Sequence, residues 1–168
     1  VNGNCAGSNQ ASFTFILKEM PVITNTNLTQ TICTGGTTSP INLASSMASG
    51  TVFNWVVTAT NGITGFTTPG TGNIIPGVTL INPSNTSGTV TYTVTPSNNG
   101  CIGTPINFVI TVNPTPLVPA QAITTCSGNA FTVSLSNNTP SVILPLGTTF
   151  TWIVSSPTEI TGASNQTT

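Results

Sequence analysis

The stretch Gly88-Thr-Val90-Thr-Tyr92-Thr-Val94-Thr-Pro96 alternates between apolar residues and threonine. Because successive side chains of a β-strand point to opposite faces, this period of two predicts a strand with its valines and tyrosine in the core and its threonines facing water. The run Ile106-Asn-Phe108-Val-Ile110-Thr-Val112 behaves similarly, and the turn Ser97-Asn-Asn-Gly100-Cys101 precedes it. The two runs therefore predict a β-hairpin.

Further strands are predicted wherever this period recurs. Inward faces are marked by Phe53, Trp55 and Val57, by Ile41 and Leu43, and later in the chain by Phe131, Val133 and Leu135. The predicted strands lie near 22–33, 40–45, 51–59, 73–81, 88–96 and 105–113, with a less regular one near 62–68. About seven short strands in about 95 residues are typical of an immunoglobulin-like β-sandwich, so we expect an all-β fold without a helix of ordinary length.

Four sequence patterns occur twice in the same order and indicate an internal repeat. The pairs are Thr31-Ile-Cys33 with Thr125-Cys126, Asn2-Gly-Asn-Cys5 with Asn99-Gly-Cys101, Thr51-Val-Phe53-Asn-Trp55 with Thr149-Phe150-Thr-Trp152, and Ile63-Thr-Gly65 with Ile160-Thr-Gly162. The offset is 93 residues between Cys33 and Cys126, and 96 residues between Cys5 and Cys101. The sequence therefore predicts tandem β-sandwich repeats of about 95 residues.

The repeat divides the chain into three parts. Residues 1–20 are predicted to be the C-terminal strand or strands of a preceding repeat, residues 21–115 a complete repeat, and residues 116–168 the N-terminal half of a following repeat. The joints Met20-Pro21-Val22 and Asn113-Pro114-Thr-Pro116 are short and contain proline. Proline favours an extended, semi-rigid linker, so successive repeats are expected to keep a defined spacing.

Charged residues are nearly absent from the chain. Lys18, Glu19 and Glu159 are the only ones, and there is no histidine, aspartate or arginine. General acid–base catalysis and nucleophile activation need such groups, zinc needs histidine or clustered thiolates, and calcium needs several carboxylate oxygens. A single lysine also cannot neutralise a phosphate backbone. The sequence thus predicts no enzyme, no cofactor, no metal site and no nucleic-acid partner.

The cysteines and the N-terminal sequence bear on the compartment. Four cysteines without a histidine partner are typical of disulfides in an oxidising environment, so we expect an extracellular or cell-surface protein. From Val1 onward no signal peptide and no membrane-spanning run is visible, and the chain is interpreted as an internal or processed fragment without membrane insertion. Thr, Asn and Ser side chains are expected to keep it soluble.

These motifs carry a resemblance to a known family. An Ile-Cys-Thr-Gly start at 32–35, Phe-x-Trp at 53–55, Val-Thr-Tyr-Thr-Val-Thr-Pro at 90–96, Asn-Gly-Cys at 99–101 and Val-Asn-Pro-Thr-Pro at 112–116 resemble the PKD-like and immunoglobulin-like repeats of giant Bacteroidota surface proteins. The resemblance implies export by the type IX route, display at the cell surface, and a role in adhesion or gliding. The acidic residues that usually follow the PKD tryptophan are replaced here by Val56-Val57 and Ile153-Val154.

The cysteines are the residues most open to a functional interpretation, and all four are predicted to form disulfides. Cys33 and Cys126 lie near the end of a first strand, whereas Cys5 and Cys101 lie in a last hairpin turn. A first strand that ran from Pro21 to Cys33 would place Cys33 about 40 Å from Pro21, while Cys101 would return to the Pro21 end. A disulfide needs Cα atoms within about 7 Å, which favours bridges between successive repeats. An early break in the first strand would instead allow a Cys33–Cys101 bridge, so the pairing stays open.

Other polar and aromatic residues have a simpler interpretation. Trp55 and Trp152 are predicted to be core aromatics rather than sugar-stacking platforms, because both have apolar flanks at the same strand position. The threonine row 89–95 is interpreted as an uncharged soluble strand surface rather than an ice-binding array. Lys18 is interpreted as a solvated charge that blocks strand addition rather than as an isopeptide cross-link.

The expected function is that of a structural stalk or filament repeat in a secreted adhesin or extracellular fibre, mediating adhesion or surface motility. Its expected partners are neighbouring repeats of the same chain, laterally associated fibres and surface glycans. The alternative is a glycan-binding accessory module of a secreted protein. A third hypothesis is a pilin-like subunit that exchanges strands between chains.

Overall fold

The computed structural model describes residues 11–67, 69–137, 141–155, 162 and 164, and none of these residues lies in a helix. Eight strands follow one another along this part of the chain. They are β1 (Thr29–Cys33), β2 (Ile41–Asn42), β3 (Val52–Ala59), β4 (Gly70–Thr71), β5 (Ile74–Ile75), β6 (Gly88–Asn98), β7 (Cys101–Ile102) and β8 (Ile106–Asn113). The all-β class that the period-two pattern predicts is confirmed.

A six-stranded sheet forms the first layer. Its strand order is β1-β8-β6-β3-β4, and β7 pairs with β6 beyond the start of β8. The central strand β6 is antiparallel to both β3 and β8, which confirms the predicted hairpin. At one edge β1 runs parallel to β8, so the first and the last strand of the sandwich are neighbours with the same direction.

The second layer is built from shorter pairings. β2 and β5 are antiparallel, and isolated bridges join Ile23 to Ser45, Thr37 to Thr79 and Thr64 to Ile81. The β2–β5 pairing continues in both directions through hydrogen bonds from Thr38 N to Val78 O (2.9 Å) and from Leu43 N to Asn73 O (2.8 Å). Segments near 23, 36–45, 73–81 and 64 therefore form the opposite face of a β-sandwich.

A single apolar cluster fills the space between the two layers. Its buried members are Ile23, Leu43, Phe53, Trp55, Ile63, Ile75, Leu80, Val90, Tyr92, Val94, Phe108, Ile110 and Val112. Full burial of one such aliphatic or aromatic side chain contributes about 1.5–3 kcal/mol. The inward positions predicted for the hairpin are in this cluster except Ile106, which packs against its margin as Val57 and Ile41 do.

The predicted first strand, 22–33, is wrong as a continuous element. Ile23 pairs with Ser45 in the second layer, and the chain then crosses to the first layer, where β1 begins at Thr29. The crossing lets one segment contribute to both sheets and so closes the sandwich on two sides. The strand predicted near 62–68 is reduced to the single bridge at Thr64, and β4 and β7 were not predicted.

A tight turn connects β6 to β7, and Pro96 lies in β6 shortly before it. Asn99 and Gly100 connect the two strands with φ values of 47° and 85°, and Asn98 pairs with Cys101 across them. A two-residue Asn-Gly loop with both φ values positive is the tight hairpin turn that matches strand twist. Pro96 lies where β6 passes from β8 to β7, and its carbonyl accepts a hydrogen bond from Gly103 N at 2.8 Å.

Residues on either side of the sandwich have few contacts with it. In the segment 11–20 no described residue lies in a strand, and Phe13, Phe15 and Leu17 are exposed. Among the described residues after Asn113, an antiparallel bridge joins Leu117 to Ile143, and Trp152 also takes part in a bridge. Phe131 and Val133, which the sequence pattern predicts to point inward, are exposed here and lie outside any strand.

Candidate functional site: the terminal strands and the two poles

The parallel pair β1–β8 brings together the first and the last strand of the sandwich. Five residue pairs are in register, from Thr29 with Val109 to Cys33 with Asn113. Hydrogen bonds from Val109 N to Leu28 O (2.8 Å) and from Thr34 N to Asn113 O (2.8 Å) extend the ladder at both ends. The strand that the chain enters first and the strand from which it leaves are therefore held together directly.

The chain enters the sandwich at what we call the N-terminal pole, formed by Pro21, Ser46 and the turn 98–103. The backbone of Val22 is bonded twice to Ser46, through Ser46 N to Val22 O (2.8 Å) and Val22 N to Ser46 Oγ (3.1 Å). Pro21 is buried, and a Cβ on Gly103 would overlap its carbonyl oxygen. Lys18 Nζ donates to Asn99 O at 3.0 Å. The incoming segment is thus fixed against the pole.

The chain leaves at what we call the C-terminal pole, formed by Thr34, the loop 82–87 and Asn113. Asn82 is its centre, with its side chain almost fully buried. Asn82 Nδ2 donates to Val112 O and to Thr86 O, each at 2.8 Å, and Asn82 N donates to Thr34 Oγ1 at 2.9 Å. A buried amide is costly unless it is hydrogen-bonded, so these contacts hold the loop and both terminal strands together.

The cysteines lie at these two poles. Cys33 is exposed beside Asn113, and Cys101 is half-buried opposite Asn98; both are free thiols, as is the exposed Cys126. The 11 residues of β6 run from one pole to the other and separate them by about 30 Å or more at about 3.3 Å per residue. A Cys33–Cys101 disulfide cannot span that distance. Cys5 lies outside the described residues.

The two tryptophans differ in their surroundings. Trp55 is 6% exposed and lies in the core, where it pairs with Gly70 of β4. A Cβ on Gly70 would come within 2.6 Å of Trp55 Cζ2, so only glycine lets β4 lie against the indole ring. Trp152 is 51% exposed, and its Nε1 donates to Ser164 O at 3.1 Å. Trp152, which the sequence predicts to be a core aromatic, is therefore half exposed in the described part of the chain.

Among the described residues, Tyr92 is a titratable group whose pKa is shifted by its surroundings. Its side chain is fully buried, and within the described residues its hydroxyl has no partner at hydrogen-bond geometry. Burial raises the pKa of Tyr92 above its ordinary value, and the nearby Thr67 opposes this shift in part. No titratable side chain lies beside it to transfer a proton, so the group fits a packing role.

Neither a metal-binding cluster nor a membrane-spanning helix is present in the described part of the chain. The described ranges contain no cluster of three or more His, Cys, Asp or Glu residues suited to a metal ion. None of their elements is a helix long and apolar enough to span a bilayer. The polar features of the sandwich are therefore the hydrogen-bonded poles.

Several residues of the poles could not be identified from the sequence. Asn82 is one of many asparagines in the chain. Its position before Pro83 is typical of a turn rather than of a buried side chain that hydrogen-bonds the backbone. Gly103 lies against the backbone of Pro21, and Gly70 lies against the ring of Trp55. Sequence periodicity does not show such close contacts. Among the predicted residues, the structure places Cys33 and Cys101 at opposite ends.

Two layers of antiparallel strands closed by a parallel terminal pair define an immunoglobulin-like sandwich. The family model described as PKD-like domain matches residues 30–116, just over half of the chain, and the protein belongs to that family. Neither the curated proteins nor the solved structures contain a significant match. PKD-like domains occur in extracellular proteins and are generally non-catalytic structural modules.

Proposed function

We propose that this chain is a load-bearing repeat in the stalk or filament of a secreted cell-surface adhesin, of the kind that Bacteroidota export by the type IX route. The repeats would set the distance between the cell and the surface to which it attaches or along which it moves. The observation that supports this proposal best is the parallel pairing of β1 with β8, whose outer ends connect to the rest of the chain at opposite poles.

Tension along the chain would act on this strand pair in shear. A pull on the incoming segment draws β1 towards the N-terminal pole, and a pull on the outgoing segment draws β8 towards the opposite pole. In a parallel ladder loaded along its length, the hydrogen bonds share the force and must break together, whereas a ladder opened from one end breaks one bond at a time. The contacts of Asn82 with Thr34 and Val112 reinforce the C-terminal end of β8, where the outgoing segment applies its load.

A glycan-binding role has less support from the same sandwich. Stacking on sugars needs exposed aromatic side chains. Of the aromatic residues between 21 and 115, Phe53, Trp55, Tyr92 and Phe108 are buried, and Phe66 is partly buried against the core. The proposed stalk role therefore stands as the main function, with glycan contact left to other parts of an adhesin.

The cysteines extend the proposal to the joints between repeats. Cys33 lies beside the outgoing segment and Cys101 beside the incoming one, so in a tandem array each would lie nearer to an adjoining repeat than to the other. We propose that they form disulfides with the matching cysteines of the adjoining repeats. Each bridge would form as two thiols lose two protons and two electrons to an oxidised dithiol carrier. Non-reducing peptide mapping of the secreted protein tests this pairing, and a Cys33–Cys101 peptide from one repeat would contradict it.

The test of the load-bearing role is to pull single 168-residue chains by their two ends in a reduced buffer. Leu28 O and Thr34 N both face β8, and peptide groups alternate along a strand. The amide of Ile32 therefore also faces β8, while that of Thr31 faces the open edge. Ile32→Pro removes a ladder bond and is expected to lower the unfolding force clearly, whereas Thr31→Pro is expected to change it little.

Ile32→Ala serves as the control for the lost side chain in this experiment. Unfolding of the sandwich releases about 90 residues and lengthens the chain by about 30 nm, which identifies the event. Equal unfolding forces for Ile32→Pro, Ile32→Ala and the unmodified chain would show that β1–β8 does not resist the load, and the proposal would fail.

A further inference from the structure

The outward side of the six-stranded sheet is a regular surface that the proposed function does not use. Because Val90, Tyr92 and Val94 point into the core, the threonines between them at 89, 91, 93 and 95 point outward. Neighbouring strands continue the rows across the sheet: Thr89 lies beside Thr111, which lies beside Thr31. We call this surface the outer face, meaning the outward side chains of β1, β8, β6, β3 and β4.

Valine and asparagine complete the outer face without adding charge. Thr91 lies between Val109 and Thr58, and Thr93 lies between Asn107 and Val56. Val56 and Val52 are each at least half exposed, so the face combines hydroxyl groups with open apolar surface. Thr93 Oγ1 donates to Asn107 Oδ1 at 2.8 Å, which links these two outward side chains across β6 and β8.

We propose that the outer face is a self-association surface that binds the outer face of a second copy of this chain. This inference rests on the proposed stalk role, because it would join parallel stalks side by side. The whole stretch 21–115 contains no Asp, Glu, Lys, Arg or His, so two copies meet without repulsion. Surfaces near zero net charge favour association.

The chemistry of threonine makes two identical faces complementary. A hydroxyl group both donates and accepts a hydrogen bond, so a row of threonines can pair with the same row of another copy. Rows of lysine or glutamate could not do so. The methyl groups of threonine and the exposed valines would lose water in the same contact, and sheets packed face to face lie about 10 Å apart.

The size of the face predicts a weak contact that becomes strong through repetition. Four strands about 4.8 Å apart and about eight residues long cover about 500 Å² on each copy. The two faces would bury about 1,000 Å² in total, which is at the lower limit for a specific interface. One pair of repeats therefore associates weakly, whereas successive repeats of two stalks would add their contacts through high effective concentration.

The test compares two charge-matched variants of the full 168-residue chain by sedimentation equilibrium under reducing conditions. Val56→Lys/Val109→Lys adds two positive charges to the outer face. Asn42→Lys/Ala44→Lys adds the same two charges to the other layer, at the end of β2 and two residues beyond it, where both residues are exposed. The dimer dissociation constant is expected to rise at least tenfold in the first variant and less than twofold in the second.

A cross-linking measurement makes the result independent of whether the charged variants fold. In a chain whose cysteines are replaced by serine, Val56→Cys is expected to give a covalent dimer with a bismaleimide of about 10 Å, and Ala44→Cys is not. Equal dimer yields at the two positions, or equal weakening by both charge pairs, would overturn the inference. So would a monomeric chain that binds a neutral polysaccharide through Val56 and Val109. None of these outcomes affects the single-chain pulling experiment, so the two proposals can fail separately.

Discussion

Trp55 and Trp152 occupy the same place in a repeated sequence pattern, yet one lies in a core and the other is half exposed. Their neighbours differ in the same way, since Phe53 is buried and Phe150 is exposed. The local sequences, Phe-Asn-Trp-Val and Phe-Thr-Trp-Ile, are nearly equivalent. The difference therefore arises from what surrounds each segment and not from the segment itself.

What surrounds Trp55 is supplied by strands distant in sequence. β6 pairs with β3 over eight residues, and Gly70 of β4 lies against the indole. Among the described residues of 116–168 no strand is formed, and Trp152 takes part in a bridge alone. An amphipathic strand buries its apolar face only when a second layer and a neighbouring strand are present, which explains why the same motif has two environments.

The largest effect that separates the two regions is expected from removing each tryptophan in turn. Trp55→Ala leaves a cavity in the core and is expected to lower the free energy of unfolding by about 3–5 kcal/mol. Trp152→Ala is expected to change it by less than about 0.5 kcal/mol, because Trp152 lies outside the core of the sandwich. Urea unfolding followed by far-UV circular dichroism measures both. A similar loss in the two variants would mean that Trp152 has a packed environment of its own.

A smaller difference is expected at the residue that follows each first-strand cysteine. Thr34 Oγ1 accepts a hydrogen bond from the backbone of the buried Asn82, whereas its counterpart in the sequence repeat, Ser127, lies in an exposed turn. Thr34→Ala leaves the backbone amide of Asn82 without its hydrogen-bond acceptor. This change is expected to lower the free energy of unfolding by about 1–2 kcal/mol. Ser127→Ala is expected to be neutral. Hydrogen exchange at Asn82 checks the cause, because its protection should fall only in the first variant.

The long strands of the sandwich could be predicted from the sequence because their signal is local. In β6 apolar residues alternate with threonine, and in β3 and β8 a large apolar residue recurs at every second position, so one face of each strand meets the core. The alternation fixes which side chains point inward whatever the topology. The Asn99-Gly100 pair likewise marked the turn before Cys101, because few other residues adopt two successive positive φ angles.

The remaining features depend on contacts that a local pattern does not contain. The segment 22–33 has scattered apolar residues, and nothing in their spacing shows that Ile23 pairs in one sheet and Ile32 in the other. β4 has only a glycine and a threonine and exists because Gly70 fits against Trp55. Cys33 and Cys101 remain far apart although the first strand is broken. β1 pairs with the C-terminal part of β8, so Cys33 lies at the pole opposite to Cys101.

The smallest expected effect is the dependence of stability on pH. Residues 21–115 contain no acidic, basic or histidine side chain, so the free energy of unfolding of the sandwich should be flat between about pH 5 and pH 8. Burial raises the pKa of Tyr92, so the folded state holds the phenolic proton more tightly than the unfolded state. The resulting stability is present below the ordinary tyrosine value of about 10 and is lost as the pH rises through the folded-state pKa. The loss in that window is at most about 1.4 kcal/mol per pH unit, the limit for one proton.

Tyr92→Phe provides the control for this pH profile, since it keeps the buried ring and removes the ionisable group. Urea unfolding at constant ionic strength, with the cysteines reduced, should give a flat curve for both chains up to pH 8 and a decline attributable to Tyr92 only in the unmodified chain. A decline below pH 5 in either chain would show that Glu19 or Glu159, which lie outside the sandwich, contributes to its stability. That result would mean that the flanking segments contribute to the stability of the sandwich. The two regions could then no longer be treated as energetically independent.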